Sequence, residues 1–251
     1  MREFARVGGG RSVLVCVDGL INLYESVVVT SEAVDALCAS GVDGIVMVAS
    51  TAELHKNLFQ GERSPALLVS VNWPSSKSDE SVMRSIVSGE VEKALGLGAS
   101  AVVSSFLVGH ERDEDEARNF AFLGSLIDEC EDHAIPSLIV TAPMGDRPTK
   151  ETYEDCVGLA ARMASEAGAT YVAIPYAGTA EAANGIVEVT GVPTYLMDLN
   201  RRIAKGQPDC NLEGLLSAAI GTDLCGVALS PSRSLDEVKA ALIGLHGGHA
   251  T

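Results

Sequence analysis

Short apolar runs rich in valine and isoleucine recur eight times along the chain and alternate with longer amphipathic segments. Continuous apolar runs of this length are typical of parallel strands that are buried on both faces. The predicted strands are Ser12–Asp18, Gly44–Ser50, Ala66–Asn72, Ala101–Gly109, Ser137–Pro143, Tyr171–Ala177, Pro193–Leu199 and Cys225–Ser230.

The segments between these runs show the apolar spacing of helices. The predicted helices are Ser31–Ser40, which opens with a serine cap, Val82–Leu97, Asp113–His133, Lys150–Ala167, Glu181–Thr190, Asn211–Gly221 and Leu235–Leu245. The segment Thr51–Gln60 predicts a short helix at best. Glycine just past a helix accepts the left-handed conformation that ends it, and the candidates are Gly41, Gly98, Gly168 and Gly191.

Regular alternation of strand and helix predicts a parallel sheet with right-handed crossovers. Eight such units in 251 residues predict a single (β/α)8 TIM barrel that spans residues 1–251. The alternative is an open doubly wound sheet, which would carry a glycine-rich phosphate loop after its first strand. The glycines at 8–10 precede that strand, so they do not form a dinucleotide-binding fingerprint.

Composition narrows the picture further. Hydrophobic residues make up 47% of the chain but aromatic residues only 4%, so the core must consist of aliphatic side chains. A net charge of −16 disfavours binding to nucleic acid and to anionic membranes. The six cysteines form no CxxC pair, which favours reduced, partly buried thiols. No apolar signal core or membrane span is evident, so we expect a cytoplasmic protein.

The active site of such a barrel lies at the carboxyl ends of its strands. Asp18, which ends the run VLVCVD, is either an acid or base or a helix cap. Tyr176 is a proton donor or a packing residue, and His110 is a catalytic or a solvated loop histidine. The further polar candidates at strand ends are Ser50, Thr51, Asn72, Trp73, Thr141, Asp146 and Asp198, the last of which is alternatively paired with Arg201 or Arg202.

Ser230, Ser232 and Arg233 lie in the motif SPSRS between the last strand and the last helix. Barrels frequently bind phosphate with the loops after strands seven and eight, so these donors indicate an anion site for the substrate. The alternative interpretation is a helix start, with Ser234 and Glu237 as a capping box. Both interpretations can hold together.

Several motifs resemble one family. The helix LAARMASEAGAT is followed by the strand YVAIPYAG, and VLVCVDG, SVNW and GASAVVSSFLVG fall in step earlier in the chain. Together these resemble the DeoC/FbaB-type class I aldolases. That family includes archaeal fructose-bisphosphate aldolase, amino-dideoxy-heptulosonate synthase and the autoinducer-2 thiolase. The resemblance implies a lyase that acts on a small carbonyl or sugar-like substrate, and it places Asp18 on the family's aspartate.

The chain departs from the family pattern at several motif positions. The resemblance places the family's Schiff-base lysine at Ala173, and an alanine cannot form an iminium. Ala142 and Met144 stand where some members have the tyrosine and arginine of YPRG, SPSRS replaces the last-strand GRN motif, and the phosphate-binding glycine pair falls near Met197 and Asp198.

Three explanations remain open. The pocket performs chemistry without a Schiff base, or a lysine at 173 has been replaced by alanine, or the barrel is inactive and binds a ligand or partner. We expect no cofactor, because no HxH or HExxH motif occurs and Asp18 with Asp198 gives only weak support for Mg²⁺. A homo-oligomer is expected from the family and from apolar positions such as Phe120, Phe122 and Leu123.

Overall fold

The computed structural model describes residues 10–18, 30–61, 63–72, 90–199 and 202–247. Eight parallel strands pair in chain order, and β8 pairs with β1 to close the barrel. The strands are β1 Ser12–Cys16, β2 Gly44–Val48, β3 Ala66–Ser70, β4 Ala101–Val108, β5 Ser137–Pro143, β6 Tyr171–Pro175, β7 Thr194–Met197 and β8 Gly226–Leu229. The predicted (β/α)8 barrel is therefore confirmed.

Helices follow the strands throughout the described ranges. They are α1 Ser31–Ser40, α2 Ala49–His55, α3 Glu90–Gly96, α4 Asp113–Asp132, α5 Tyr153–Glu166, α6 Ala180–Thr190, α7 Leu212–Ile220 and α8 Leu235–His246. A 3-10 helix, Lys56–Phe59, extends α2. The second strand does not reach Ser50 as predicted, because α2 already begins at Ala49. The part of the predicted helix Val82–Leu97 before Glu90 lies outside the described residues.

Helix ends follow local chemistry. All four predicted closing glycines have positive φ angles, which confirms them (Gly41, Gly98, Gly168 and Gly191). The predicted serine cap of α1 is wrong by one residue. Thr30 is the N-cap, and its Oγ1 accepts a hydrogen bond from the amide of Ala33 at 3.3 Å. Ser31 is instead the first helical residue, because extended backbone at Thr30 (φ −89°, ψ 154°) precedes it.

Two apolar layers form the core. One fills the barrel lumen with alternate strand residues such as Leu14, Val140 and Ala173, and the other packs the opposite strand faces against the helices. Tyr195 is the large lumen side chain, and its hydroxyl hydrogen-bonds to Ser12 Oγ at 2.9 Å near the amino end of β1. The remaining core is mainly aliphatic, as the composition predicts.

Cysteine state and membrane topology were also predicted. All six cysteines are free thiols, which confirms the absence of disulfides. Among the residues that the structure describes, no helix is long and apolar enough to cross a membrane.

Candidate functional site

Asp18 follows β1 at the carboxyl end of the barrel, on the same side of the chain as the lumen residues Leu14 and Cys16. Its Oδ1 accepts a hydrogen bond from the amide of Val48 at 2.7 Å, and its Oδ2 accepts one from Thr51 Oγ1 at 2.5 Å. Burial raises the pKa of the Asp18 carboxyl, while the hydrogen bonds from Thr51 and Val48 lower it and only partly offset burial. Asp18 therefore holds the start of α2 and also keeps a perturbed carboxyl at the barrel mouth.

Asn72 follows the end of β3 and is hydrogen-bonded to the middle of β4. Its Oδ1 accepts a hydrogen bond from the amide of Ser105 at 2.8 Å, and its Nδ2 donates to the carbonyl of Ser105 at 3.0 Å. The side chain is buried, so these two bonds replace the ladder contacts that the strands lose where they diverge. The structure thus shows Asn72 in a positioning role, and its predicted contact with substrate stays a prediction. Trp73 lies outside the described residues.

Asp198 and Arg233 form a bidentate ion pair between the ends of β7 and β8. Arg233 Nε donates to Asp198 Oδ2 at 2.7 Å, and Arg233 Nη2 donates to Asp198 Oδ1 at 3.0 Å. Arg233 Nη1 also donates to Glu237 Oε1 at 2.9 Å. Asp198 is fully buried, and a bidentate, charge-assisted pair of this kind is among the stronger polar contacts in proteins. Arg202, the alternative partner considered for Asp198, binds Asp209 instead, and Arg201 lies outside the described residues.

The segment after β8 carries the predicted capping box. The Ser234 Oγ accepts a hydrogen bond from the amide of Glu237, and Glu237 Oε2 accepts one from the amide of Ser234 at 2.8 Å. These bonds lower the pKa of the Glu237 carboxyl, with Ser234 making the larger contribution and Arg233 a further one. Ser230 Oγ and Ser232 Oγ are hydrogen-bonded to each other at 2.6 Å. The capping interpretation of SPSRS is confirmed, and the anion site stays a prediction.

Two cysteines belong to this cluster and were missed as site residues. Cys210, from the loop after β7, lies near Asp198. Burial, followed by the charge of Asp198, raises its pKa to about 12. Burial, followed by the charges of Asp18 and Asp198, likewise raises the pKa of Cys16. Both carboxylates therefore act on one lumen thiol on the β7–β8–β1 side of the mouth.

Three further predicted residues follow β4, β5 and β6. The Tyr176 hydroxyl donates to the carbonyl of Gly178, within its own loop. His110 is buried after β4 and contributes to lowering the pKa of Asp115 in α4, after the larger effect of Arg112. Asp146 is exposed after β5. For these three residues, catalytic or substrate contact stays a prediction.

Thr141 was a candidate at the end of the fifth strand. The lumen residues of β5 are Leu138, Val140 and Ala142, so alternation directs Thr141 toward the helices. Its predicted place in the pocket is therefore wrong, because one residue of register reverses the face.

The loop after β7 folds back over part of the mouth. Its residue Ala204 forms a β-bridge with Gly145, and the amide of Gly145 donates to the carbonyl of Ile203 at 2.9 Å. This brings Ile203 against the lumen residues Leu107 and Ala142. The β4–β5 side of the mouth is thus apolar and covered, whereas the β7–β8–β1 side is polar.

These features, a closed parallel barrel with a buried acidic cluster at its carboxyl end, can be compared with known proteins. A family model described as DeoC/LacD family aldolase matches residues 24–196, well over half of the chain. The chain belongs to the DeoC/LacD family of aldolases. The resemblance inferred from the sequence motifs is therefore confirmed.

Individual relatives of this DeoC/LacD aldolase agree. An uncharacterised aldolase of Saccharolobus solfataricus is 29% identical over 196 residues, which cover 74% of this chain and 71% of that protein. A 2-amino-3,7-dideoxy-D-threo-hept-6-ulosonate synthase of Archaeoglobus fulgidus is 25% identical and matches 78% of this chain and 71% of that protein. The crystal structure of an archaeal fructose 1,6-bisphosphate aldolase superposes with a TM-score of 0.75 at 23% identity and covers 96% of both chains. The last comparison shows the shared fold.

Ala173 of this family member lies at the lumen face of β6, with no exposed surface. In the barrel register it is flanked by Val140 on β5 and Tyr195 on β7. A side chain that extends from this position enters the lumen. Whether Ala173 is the counterpart of the Schiff-base lysine stays a prediction.

A separate cavity of about 330 Å³ lies between the loops after β5, β6 and β7 of this aldolase-family chain. Its lining combines opposite charges, including Lys150, Glu154, Arg202 and Asp209. None of the predicted site residues lines it. Within the described ranges, no group of three or more histidine, cysteine or acidic side chains is arranged to hold a metal ion. Family and fold support an aldolase-like function on a small-molecule substrate.

Proposed function

We propose that this protein is an aldolase-type lyase that cleaves or forms a carbon–carbon bond beside a carbonyl group, without a Schiff base. Asp18 is the acid or base in this proposal. The observation that carries it is the position of Asp18, next to the lumen at the carboxyl end of β1, with a carboxyl pKa raised by burial. A raised pKa brings proton exchange closer to neutral pH, which general acid–base catalysis requires.

The proposed retro-aldol step needs only proton transfers by the chain. The Asp18 carboxylate removes the proton from the substrate hydroxyl on the carbon beta to the carbonyl. As the new carbonyl forms, the carbon–carbon bond breaks and its electron pair enters the second fragment as an enolate, whose carbon then takes up the proton from Asp18. Without an iminium, hydrogen-bond donors must stabilise that enolate. The Thr51 hydroxyl donates its single hydrogen to Asp18, so it positions the carboxylate and leaves enolate stabilisation to other donors.

The second candidate is an inactive barrel that binds a ligand. One observation favours it: each of the polar groups Asp18, Asn72 and Asp198 accepts hydrogen bonds from the chain itself. Structural bonds of this kind are what a scaffold retains, and they leave less capacity for substrate.

Enolisation can be measured without knowing the natural substrate. We would incubate the protein with dihydroxyacetone and related ketones in D2O and follow the loss of α-proton signals by proton NMR. We expect exchange above the buffer rate, and a ~10²-fold or larger loss in Asp18→Asn, since the general base is removed. Because the folded-state pKa is raised, the rate should fall as pH drops through a value above the ordinary aspartate range.

The matched control is Asp223→Asn, which neutralises an exposed carboxylate before β8 at the opposite end of the barrel. It should exchange at the parent rate. Ketone binding seen by ligand-observed NMR, together with no exchange above buffer, would establish the binding protein and reject the lyase. Equal exchange in the parent and a folded Asp18→Asn variant would remove Asp18 from the mechanism.

A further inference from the structure

The loop after β8 contains the donors from which an anion site would be built, and they already have acceptors within the chain. Loops after β7 and β8 of such barrels frequently bind phosphate. Here Arg233 donates from Nε and Nη2 to Asp198 and from Nη1 to Glu237. Only 14% of the Arg233 side chain is exposed, so a ligand has little access to its remaining hydrogens.

Backbone donors of the same segment are also occupied. The amide of Ser230 points to Asp198 Oδ2 at 3.4 Å, and the amide of Ser232 donates to Ser230 Oγ at 3.3 Å. At the start of α8, the amide of Ser234 donates to Glu237 Oε2 and the amide of Glu237 donates to Ser234 Oγ. The helix start that would receive an anion therefore already holds a carboxylate.

The negative charge around the loop after β8 also disfavours a bound anion. One guanidinium faces two carboxylates, Asp198 and Glu237, and Asp18 lies close enough to act on Cys16 together with Asp198. A phosphate that approaches Arg233 must displace a fully buried carboxylate and then remain beside it. Such like-charge contact excludes ligands as effectively as a steric clash.

We propose that Asp198 occupies the position of a substrate's anionic group, so that this pocket takes small carbonyl compounds that carry no phosphate at the β7–β8 end. This inference rests on the proposed function, from which it takes the assumption that the pocket binds a substrate. Asp198 acts in it as a specificity-determining residue, since it closes Arg233 to external anions. Removal of its charge should turn the same loop into a phosphate site.

The test titrates inorganic phosphate into the parent protein and Asp198→Asn, with calorimetry as the readout. The asparagine keeps the shape of the side chain and leaves Arg233 with one carboxylate partner. We expect phosphate binding to be ~10-fold or more tighter in Asp198→Asn than in the parent, as one charge-assisted contact allows. The double variant Asp198→Asn/Arg233→Gln should lose that binding.

A matched control releases a different arginine. Asp209→Asn frees Arg202, which forms an exposed ion pair, and should create no phosphate site. Phosphate binding by the parent that disappears in Arg233→Gln would overturn the proposal, as would a folded Asp198→Asn variant without phosphate binding. If Asp198→Asn does not fold, the phosphate titration is repeated with Asp198→Ser. The parent's preference between dihydroxyacetone and dihydroxyacetone phosphate then decides whether the pocket accepts a phosphate group. Preference for the neutral ketone supports the proposal and preference for the phosphate ester contradicts it.

Phosphate binding requires no turnover, so the two proposals fail separately. Gain of phosphate binding in Asp198→Asn, with no proton exchange in any variant, would reject the lyase and keep the assignment of Asp198. Proton exchange by a parent protein that also binds phosphate through Arg233 would keep the lyase and reject the assignment of Asp198.

Discussion

Ala173 offers the most direct residue-scale test of the relation to Schiff-base aldolases. It faces the lumen between Val140 and Tyr195 and has no exposed surface. A lysine there would be largely desolvated, which lowers its pKa and favours a nucleophilic amine. We expect Ala173→Lys to form a borohydride-stable adduct with dihydroxyacetone, detected by intact mass, while the parent forms none.

The control for that variant is Ala228→Lys, which introduces a lysine at a lumen alanine of β8. It should give no adduct if reactivity depends on the β6 position. No adduct on a folded Ala173→Lys protein would mean that the pocket has been rebuilt for chemistry without a covalent Schiff-base intermediate. Circular dichroism verifies the fold of both variants.

At this scale the sequence predicts where a polar residue lies but not what it contacts. Asp18 and Asp198 were placed at the carboxyl end because each terminates an apolar run. Their partners, Thr51 and Arg233, are 33 and 35 residues away and depend on barrel register. Cys210 lies in a loop without apolar periodicity, so nothing in the sequence indicated that Asp198 would act on its thiol. The Arg233–Glu237 pair had a visible signal, its i,i+4 spacing.

At the scale of elements, the seam between β8 and β1 depends on one glycine. Gly226 has a φ of 152°, and a Cβ at this position would lie 1.9 Å from the carbonyl oxygen of Ser12. The strained φ angle and the overlap of the new Cβ with the Ser12 carbonyl both destabilise the variant. We therefore expect Gly226→Ala to lower the free energy of unfolding by ~3 kcal/mol or more. Urea unfolding measures it.

Gly96→Ala is the matched glycine replacement. Gly96 is the last residue of α3, and a Cβ there would meet nothing within 4 Å. Because alanine favours helix, this change should be neutral or stabilise by up to ~1 kcal/mol. Equal destabilisation by both substitutions would show that the β8–β1 seam has no special requirement for glycine.

Element type was predictable because apolar runs and amphipathic segments differ in period. The residues at which the elements end were less predictable. The predicted strands are one or two residues too long at most carboxyl ends, because single hydrogen bonds between neighbouring strands, such as that from the Val71 amide to the carbonyl of Val103, continue past the last strand residue. α2 begins inside such a run, at Ala49, because Asp18 binds the chain there from another strand.

At the scale of the molecule, the homo-oligomer stays a prediction. Leu123 was predicted to be an apolar residue that the core does not need. This is wrong, because Leu123 is a fully buried residue of α4. Phe120 is partly exposed, at 39%, and exposed apolar side chains also occur at Leu54, Leu159, Val189, Ile220 and Ile243. Isolated exposed side chains of this kind are normal on monomers, so they do not decide assembly.

The net charge of −16 is a property of the whole molecule that persists in the folded state. The chain has 34 acidic and 18 basic residues, so compaction brings like charges together and repulsion opposes the folded state. Salt screens this repulsion, since the Debye length falls from ~10 Å at 0.1 M to ~3 Å at 1 M. We therefore expect KCl to raise Tm by ~2–4 °C, which for a domain of this size corresponds to ~1 kcal/mol. Differential scanning calorimetry measures it.

Screening and a general salt effect can be separated by the shape of the curve and by a charge variant. Screening acts mainly below ~0.3 M, within the range in which the Debye length changes most, whereas exclusion of salt from the surface grows steadily at molar concentration. Asp128→Lys/Glu188→Lys replaces two exposed acids on α4 and α6, and each change adds two positive charges, so the net charge becomes −12. Its Tm should rise less with KCl than that of the parent. A parent Tm that falls as KCl is added would mean that the ion pairs at the mouth and on the helices outweigh the overall repulsion.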